Sequence, residues 1–201
     1  MASDDIISLL GKNPASRLAL SGHSRPDGDS LGACFALAEI LRSLGHAALV
    51  VNPGPISGKL SFLTRPEWIA NPGHPGWWRD FDLFGVLDCG EIDRLPEINR
   101  EAAAKLPAFN LDHHASSAGL GQAVWIDPAA SSTCELVVRL ARTAGWDIPP
   151  GAAQALWTGI VSDTGRFSQE NATPAALEAA RLCLLAGAKP VLTDIHLFQS
   201  A

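Results

Sequence analysis

The segment His23-Ser-Arg-Pro-Asp-Gly-Asp-Ser30 brings one imidazole and two carboxylates within seven residues, between the apolar run Leu18-Ala-Leu20 and the start of a helical pattern. Carboxylates held that close raise one another's pKa unless a cation intervenes. The short strand, the break at Gly28 and the helix start place His23, Asp27 and Asp29 at the carboxyl end of a sheet strand, where open α/β folds build their sites. The chemistry this favours is divalent-cation binding.

Three further places carry an acid or a histidine at the exit of an apolar run or in a turn. Asp88 closes Leu83-Phe-Gly-Val-Leu-Asp88, Asp112, His113 and His114 close Ala108-Phe-Asn-Leu-Asp-His-His114, and Asp163 lies in Gly159-Ile-Val-Ser-Asp-Thr-Gly165. Each alone has an ordinary explanation. Asp27-Gly-Asp29 reads equally as a turn, though not as an EF-hand loop, because Ala38 stands where the twelfth-position Glu would be. Asp88 alone suits a cap, and Asp163 before Thr164-Gly165 suits a turn. Their joint occurrence favours one site. Carboxylates with some histidine suit Mn²⁺, with Mg²⁺ or Co²⁺ as alternatives, and a donor set without thiolates argues against structural zinc. So many anionic ligands imply two cations, about 3.5–4 Å apart, sharing a carboxylate and a water. Such a water loses its proton near neutral pH and suits in-line attack on phosphorus.

These residues converge only if the strands that carry them are parallel. Strand patterns cover Arg17–His23, Ala47–Val51, Leu83–Asp88, Ala108–Leu111 and Ala123–Ile126. Helical spacing runs over Ser30–Leu44, ending at Gly45, and over Ser132–Ala144, Pro150–Val161 and Pro174–Ala186, with Thr173 as N-cap. An amphipathic start, Asp4–Leu10, precedes a break at Gly11–Pro14, and Val191–Phe198 is a short amphipathic end. This alternation predicts an α/β fold, a mostly parallel sheet of about five strands with helices on both faces. Asn52–Asp80, rich in Pro, Gly and Trp, reads as irregular surface structure near the site. Trp77-Trp78 there suits loop packing, with base stacking as the alternative.

A length of 201 residues gives room for one good-sized domain, and a net charge of −6 with no Lys/Arg run does not advertise ordinary electrostatic capture of long nucleic acid, while a short phosphorylated substrate held by metal ions stays compatible. Cys34, Cys89, Cys134 and Cys183 lack metal-binding spacing and read as buried thiols. The acidic N-terminus lacks a signal-peptide pattern, and no apolar run approaches a membrane span, so the expected location is cytoplasmic. His46, His74 and His196 read as structural or exposed.

Gly22-His-Ser-Arg-Pro-Asp-Gly-Asp-Ser-Leu-Gly32, Val86-Leu-Asp-Cys-Gly90, Asn110-Leu-Asp-His-His114, Trp125-Ile-Asp-Pro128 with Ser132-Thr133, and Gly159-Ile-Val-Ser-Asp-Thr-Gly165 span nearly the whole chain. In this order they resemble the DHH phosphoesterase superfamily, related to RecJ-type exonucleases and manganese-dependent pyrophosphatases. Within it they resemble the branch of bifunctional oligoribonucleases and 3'-phosphoadenosine-5'-phosphate phosphatases. The resemblance implies that His23, Asp27 and Asp88 hold one metal and that Asp29, Asp88, His113 and Asp163 hold the other, with Asp88 bridging. Asp112 would orient the adjacent imidazole, and His114 would face the scissile phosphate. Arg25 is a candidate phosphate contact or a solvated loop cation.

The implied activity is metal-hydroxide hydrolysis of phosphoesters in short oligoribonucleotides or 3'-phosphoadenosine-5'-phosphate. The alternatives are pyrophosphate or polyphosphate hydrolysis, and a weakly active nucleotide-binding module that needs a second domain or a partner. The implied division is a DHH domain over residues 1–190 and the start of an interdomain linker helix over 191–201, with the family's C-terminal substrate-binding domain absent from these 201 residues. A homodimer is compatible with this reading, and no membrane partner is expected. Ser117 departs from the Asn expected near the second metal.

Overall fold

The strand sequences Leu18-Ala-Leu20, Ala48-Leu-Val-Val51, Leu83-Phe-Gly-Val-Leu87 and Ala108-Phe-Asn-Leu111 are apolar almost without alternation, as strands buried on both faces must be. A computed structural model, which describes residues 2–11 and 15–199, places them in the middle of one sheet. Six strands, β1 (Arg17–Ser21), β2 (Ala47–Val51), β3 (Ile69–Ala70), β4 (Leu83–Leu87), β5 (Ala108–Asp112) and β6 (Ala123–Ile126), lie in the order β3-β2-β1-β4-β5-β6. Every neighbouring pair is parallel. The chain runs outward from β1 in one direction and from β4 in the other. The crevice between the carboxyl ends of β1 and β4 is therefore the topological switch point, where such sheets open.

The two faces are unequal. On one, Leu18, Leu20, Ala48, Val50, Leu87, Phe109 and Leu111 join a core covered by α1 (Ala2–Gly11), α2 (Gly28–Ser43), α4 (Thr133–Ala144), α5 (Pro150–Asp163) and α6 (Pro174–Leu185). On the other, Ala19, Val51, Phe84, Val86 and Ala108 meet Trp77 and α3 (Glu97–Lys105). Neighbouring residues of each strand thus serve opposite cores, as the period of two requires. Helix α2 is buried along most of its length, and its partner α5 approaches it at Gly159, where a Cβ would collide with Cys134 and crowd Asp29. Full burial of Leu37 or Phe35 there contributes about 1.5–3 kcal/mol each.

Three elements differ from the sequence expectation. β3 is a sixth strand, two residues long, and α3 had no expected counterpart. The Asn52–Asp80 region is only partly surface structure, because its 3₁₀ turns bury Leu60, Leu63 and Trp77, and Trp77 Nε1 donates to the Ile98 carbonyl at 2.9 Å. Trp77 is packed, not available to a base; Trp78 carries Arg79 over its ring. Residues 12–14 of the expected break, and Ser200 and Ala201 of the expected linker, lie outside the described residues. The short helix α7 (Pro190–Thr193) runs into a π-helical stretch, Asp194–Gln199. All four cysteines are buried and free. Among the described residues no helix is long and apolar enough to cross a membrane.

Candidate metal centre

Each candidate side chain is delivered by the end of an element. His23 follows β1, Asp27 is the N-cap of α2, Asp29 lies in its first turn, Asp88 follows β4, Asp112 ends β5, His113 and His114 follow it, and Asp163 ends α5. Asp27 divides its carboxylate. Oδ1 accepts from the amides of Asp29 (3.1 Å) and Ser30 (3.0 Å), and Oδ2 faces His23 Nε2 at 3.6 Å. The cap fixes the start of α2, worth about 1 kcal/mol, and aims the second oxygen inward.

Asp88 has a backbone φ of +56°, in the left-handed region that side chains other than glycine enter at a cost of about 1 kcal/mol or more. Its amide donates to Leu111 O at 2.9 Å. The turn is clamped by Asn110, whose Nδ2 donates to the carbonyls of Val86 (3.1 Å) and Cys89 (3.2 Å) while its Oδ1 accepts from the Leu120 amide (3.1 Å). Strain retained at one carboxylate, with a buried asparagine dedicated to holding it, marks that carboxylate as the centre of the arrangement.

Two donor sets meet there. His23 Nε2 lies 3.4 Å from Asp88 Oδ2 and 3.6 Å from Asp27 Oδ2. His113 Nε2 lies 3.3 Å from Asp163 Oδ2, 3.7 Å from Asp88 Oδ1 and 3.8 Å from Asp29 Oδ2. The two oxygens of Asp88 thus face different sets. His114 Nδ1 is 3.5 Å from Asp88 Oδ1 but donates to Asp112 Oδ1 at 2.8 Å, and Asp112 also accepts the His114 amide at 3.1 Å. The shorter bond decides: Asp112 holds the His114 ring, not that of His113, and leaves His114 Nε2 uncommitted to Asp112.

Asp29 is held from another element. The first amides of α4, those of Thr133 (2.6 Å) and Cys134 (2.8 Å), donate to its two oxygens, so the positive end of a helix faces a buried carboxylate. Thr133 Oγ1 donates to Asp88 Oδ1 at 3.1 Å. Ser132 caps α4 by accepting from the Glu135 amide, and Glu135 in turn accepts from Ser131. Asn171 Nδ2 donates to the carbonyls of Ser131 and Asp163, both at 3.1 Å, tying the α4 entry to the end of α5.

Sequence reasoning assigned no role to Thr133, Asn110 or Asn171. The available signals were Ser132-Thr-Cys-Glu135, a capping pattern, and a polar residue inside the apolar strand Phe109-Asn-Leu111. Ser117 packs against Gly90, where any Cβ would strike it. His46, His74 and His196 lie outside both donor sets, and His196 stacks on Phe62.

The electrostatics show what the cluster lacks. Burial pushes the Asp29 carboxyl well above its usual range, and the charges of Asp88 and Asp163 push it further. Burial raises Asp88 as well. Burial alone would lower His23 and His113, yet the surrounding carboxylates override it and bring each to about 9. His114 is raised chiefly by its bond to Asp112. Among the described residues no Lys or Arg pairs with Asp27, Asp29, Asp88 or Asp163.

The residues present fit a pair of divalent cations. His113 Nε2 is buried and makes no hydrogen bond, although three carboxylate oxygens surround it. Two ligands about 2.1 Å from one ion lie roughly 3.0–3.5 Å apart at octahedral or tetrahedral angles, close to the spacings found here. Among the described residues three groups could each hold an ion: His23–Asp27–Asp88, Asp29–His113–Asp163 and Asp88–His113–His114. The donor chemistry, oxygen with imidazole and no thiolate, suits Mn²⁺ or Mg²⁺.

Known proteins that resemble this chain point to one family. The bifunctional oligoribonuclease and PAP phosphatase NrnA of Bacillus subtilis is 32% identical over 166 residues, covering 81% of this chain and 51% of that protein. A probable manganese-dependent inorganic pyrophosphatase of Deinococcus radiodurans is 27% identical over 169 residues, covering 78% and 49%. The crystal structure of an exopolyphosphatase-related protein from Bacteroides fragilis superimposes with a TM-score of 0.89 at 22% identity, over 100% of this chain and 61% of that one. The chain spans about half the length of the relatives it matches. Residues 17–160 match the family model described as DHH family, N-terminal domain. The chain belongs to the DHH family.

Proposed function

We propose that this chain is a two-cation phosphohydrolase that cleaves phosphoester bonds in short oligoribonucleotides or in 3'-phosphoadenosine-5'-phosphate. The observation that carries the reading is Asp88, whose two oxygens face separate His/Asp sets with no basic side chain to balance them. His23, Asp27 and Asp88 would hold one Mn²⁺, and Asp29, Asp88, His113 and Asp163 the other, with Asp88 shared. When bound, such cations lower the pKa of a water between them and neutralise charge on the phosphoryl oxygens.

The rest belongs to the chain. Asp88 sets the spacing of the two sets through its strained turn. The α4 amides keep Asp29 an acceptor despite its burial. Asp112 fixes His114 with Nδ1 as donor and orients Nε2, which in the protonated ring can present a proton to a phosphoryl or leaving oxygen. The raised pKa of His114 favours the protonated form that this role needs.

The names of relatives support the substrate class: the Bacillus subtilis protein is named for oligoribonuclease and PAP phosphatase activities. Pyrophosphate or polyphosphate hydrolysis is the second reading, favoured by the name of the Deinococcus relative. We assign residues 1–190 to the metal-binding domain, cytoplasmic in location, and 191–201 to the start of an interdomain helix. Exposed Val191, Ile195 and Phe198 support that assignment, because they offer an apolar face to a further domain or to a partner.

The test is turnover by the purified chain with Mn²⁺ of bis(p-nitrophenyl) phosphate, a short oligoribonucleotide and pyrophosphate, against Asp88→Ala. Phosphodiester turnover lost in the variant supports the reading. Pyrophosphate turnover alone selects the second reading, and nucleotide binding without turnover of anything selects a binding module.

A further inference from the structure

Beside the metal centre, on the His23 side, lies a cavity of about 390 Å³ lined by His23, Ser24, Arg25, Asp93 and Arg94. It sits between the loops that follow β1 and β4, at the switch point of the sheet. The Ser24 amide donates to the Arg94 carbonyl at 2.8 Å, which joins the two loops and fixes the two arginines relative to one another.

The arginines are unlike the others in the chain. Arg42, Arg65, Arg100, Arg139, Arg142 and Arg181 each hydrogen-bond or ion-pair within the fold. Arg17, Arg79 and Arg166 lie over aromatic rings. Among the described residues, neither the Arg25 nor the Arg94 guanidinium has a hydrogen bond, an ion pair or a ring. Asp93, the acid of the cavity wall, is already balanced: Arg100 lies 3.5 Å from its carboxylate and donates to its carbonyl at 2.8 Å. Two unsatisfied guanidiniums and the exposed Ser24 are thus concentrated in one concavity of a chain whose net charge is −6. Burial pushes the nearby Cys89 thiol up to about 11, and the Arg94 charge acts against that rise, so this guanidinium lies near the residue that follows Asp88.

Planar guanidiniums recognise phosphate through paired, charge-assisted hydrogen bonds. We propose that Arg25 and Arg94 form an anion subsite that receives a second phosphate of the substrate while the first lies at the metal centre. This deepens the phosphohydrolase reading and rests on it. The preferred substrate then carries two phosphates on one molecule. The second is either the terminal monoester of a nucleoside 3',5'-bisphosphate or a phosphate of a 5'-phosphorylated dinucleotide.

The experiment compares the chain with Arg25→Gln/Arg94→Gln, its fold checked by circular dichroism, in Mn²⁺. One arm takes kcat/KM for adenosine 3',5'-bisphosphate over adenosine 3'-monophosphate, and the other takes pApA over ApA. The expected result is a fall of about tenfold or more in one or both ratios, carried by KM, and the arm that falls identifies the source of the phosphate. Unchanged ratios in both arms overturn the subsite. Calorimetric Kd ratios for the same four compounds give the same readout without turnover. If no compound is hydrolysed but the Kd ratios fall, the hydrolase reading fails and the anion subsite stands.

Discussion

Two concavities of this molecule are built on opposite principles. The groove between α4 and α6, about 510 Å³ and lined by Val138, Trp146, Ile148, Leu182, Leu185 and Ala186, is larger than the cavity beside His23. Its walls are regular helices, one started by the Ser132 cap and ended at Gly145 in a left-handed turn. The metal centre is made from the ends of β1, β4, β5 and α5 and the start of α2, and holds buried acids and a carboxylate in a strained backbone position. The groove follows the rules of stability, and the centre breaks them at several points together. Size is therefore a poor guide to where the chemistry lies, and concentrated electrostatic cost is a better one.

This contrast is sharpened most by paired substitutions. His113→Ala is expected to lower Mn²⁺-dependent phosphodiester turnover by on the order of a hundredfold or more. Trp146→Ala should lower Tm while leaving kcat/KM within about twofold. Similar losses of turnover in both would erase the distinction.

Asn110→Ala comes next. It unpairs the carbonyls of Val86 and Cys89 and the Leu120 amide, and should cost about 3 kcal/mol. In a chain of this size that is a fall in Tm of roughly 5–10 °C. Turnover should fall as well, because the Asp88 turn loses its clamp. Normal turnover with lowered Tm would show that the strained turn does not need it.

The metal-free protein supplies a smaller effect. The folded-state pKa values of His23 and His113 are raised from 6.5 to about 9. Their stabilisation is therefore fully present below about pH 6.5 and is lost as pH rises through about 9. In EDTA, Tm should fall between those limits, and Mn²⁺ should reduce the fall by supplying the positive charge that the imidazolium protons gave. A Tm that is flat in EDTA, or a fall that Mn²⁺ leaves unchanged, would contradict the electrostatic account. The smallest effect belongs to the groove rim: Leu185 is 71% exposed, and Leu185→Ser should change stability by no more than about 0.5 kcal/mol.

Much of the centre was legible in sequence because each donor follows an apolar run that had to be a strand or a helix, and parallel strands bring their ends together. What escaped depended on distant contacts. Glu97–Lys105 offers only a thin apolar face, Ile98 and Ala102 continued by Leu106, and fully buries only Asn99 and Ala102, so α3 left a weak helical period that is easily passed over. β3 is two residues long and exists through its pairing with Val50 and Val51. Thr133 acts on residues 104 and 45 positions away, and Asn110 on turns 24 and 21 positions away, which no local spacing encodes. Ser24 and Arg94 are likewise joined only by the fold.

The central claim is that Asp88 is shared by two cation sites. Calorimetric titration of EDTA-stripped protein with Mn²⁺ tests it directly, in the wild type and in Asp27→Ala, Asp163→Ala and Asp88→Ala. The account predicts two ions per wild-type chain, one retained in each of the first two variants, and both weakened in Asp88→Ala. A single ion in the wild type, or two bound undiminished in Asp88→Ala, would contradict it.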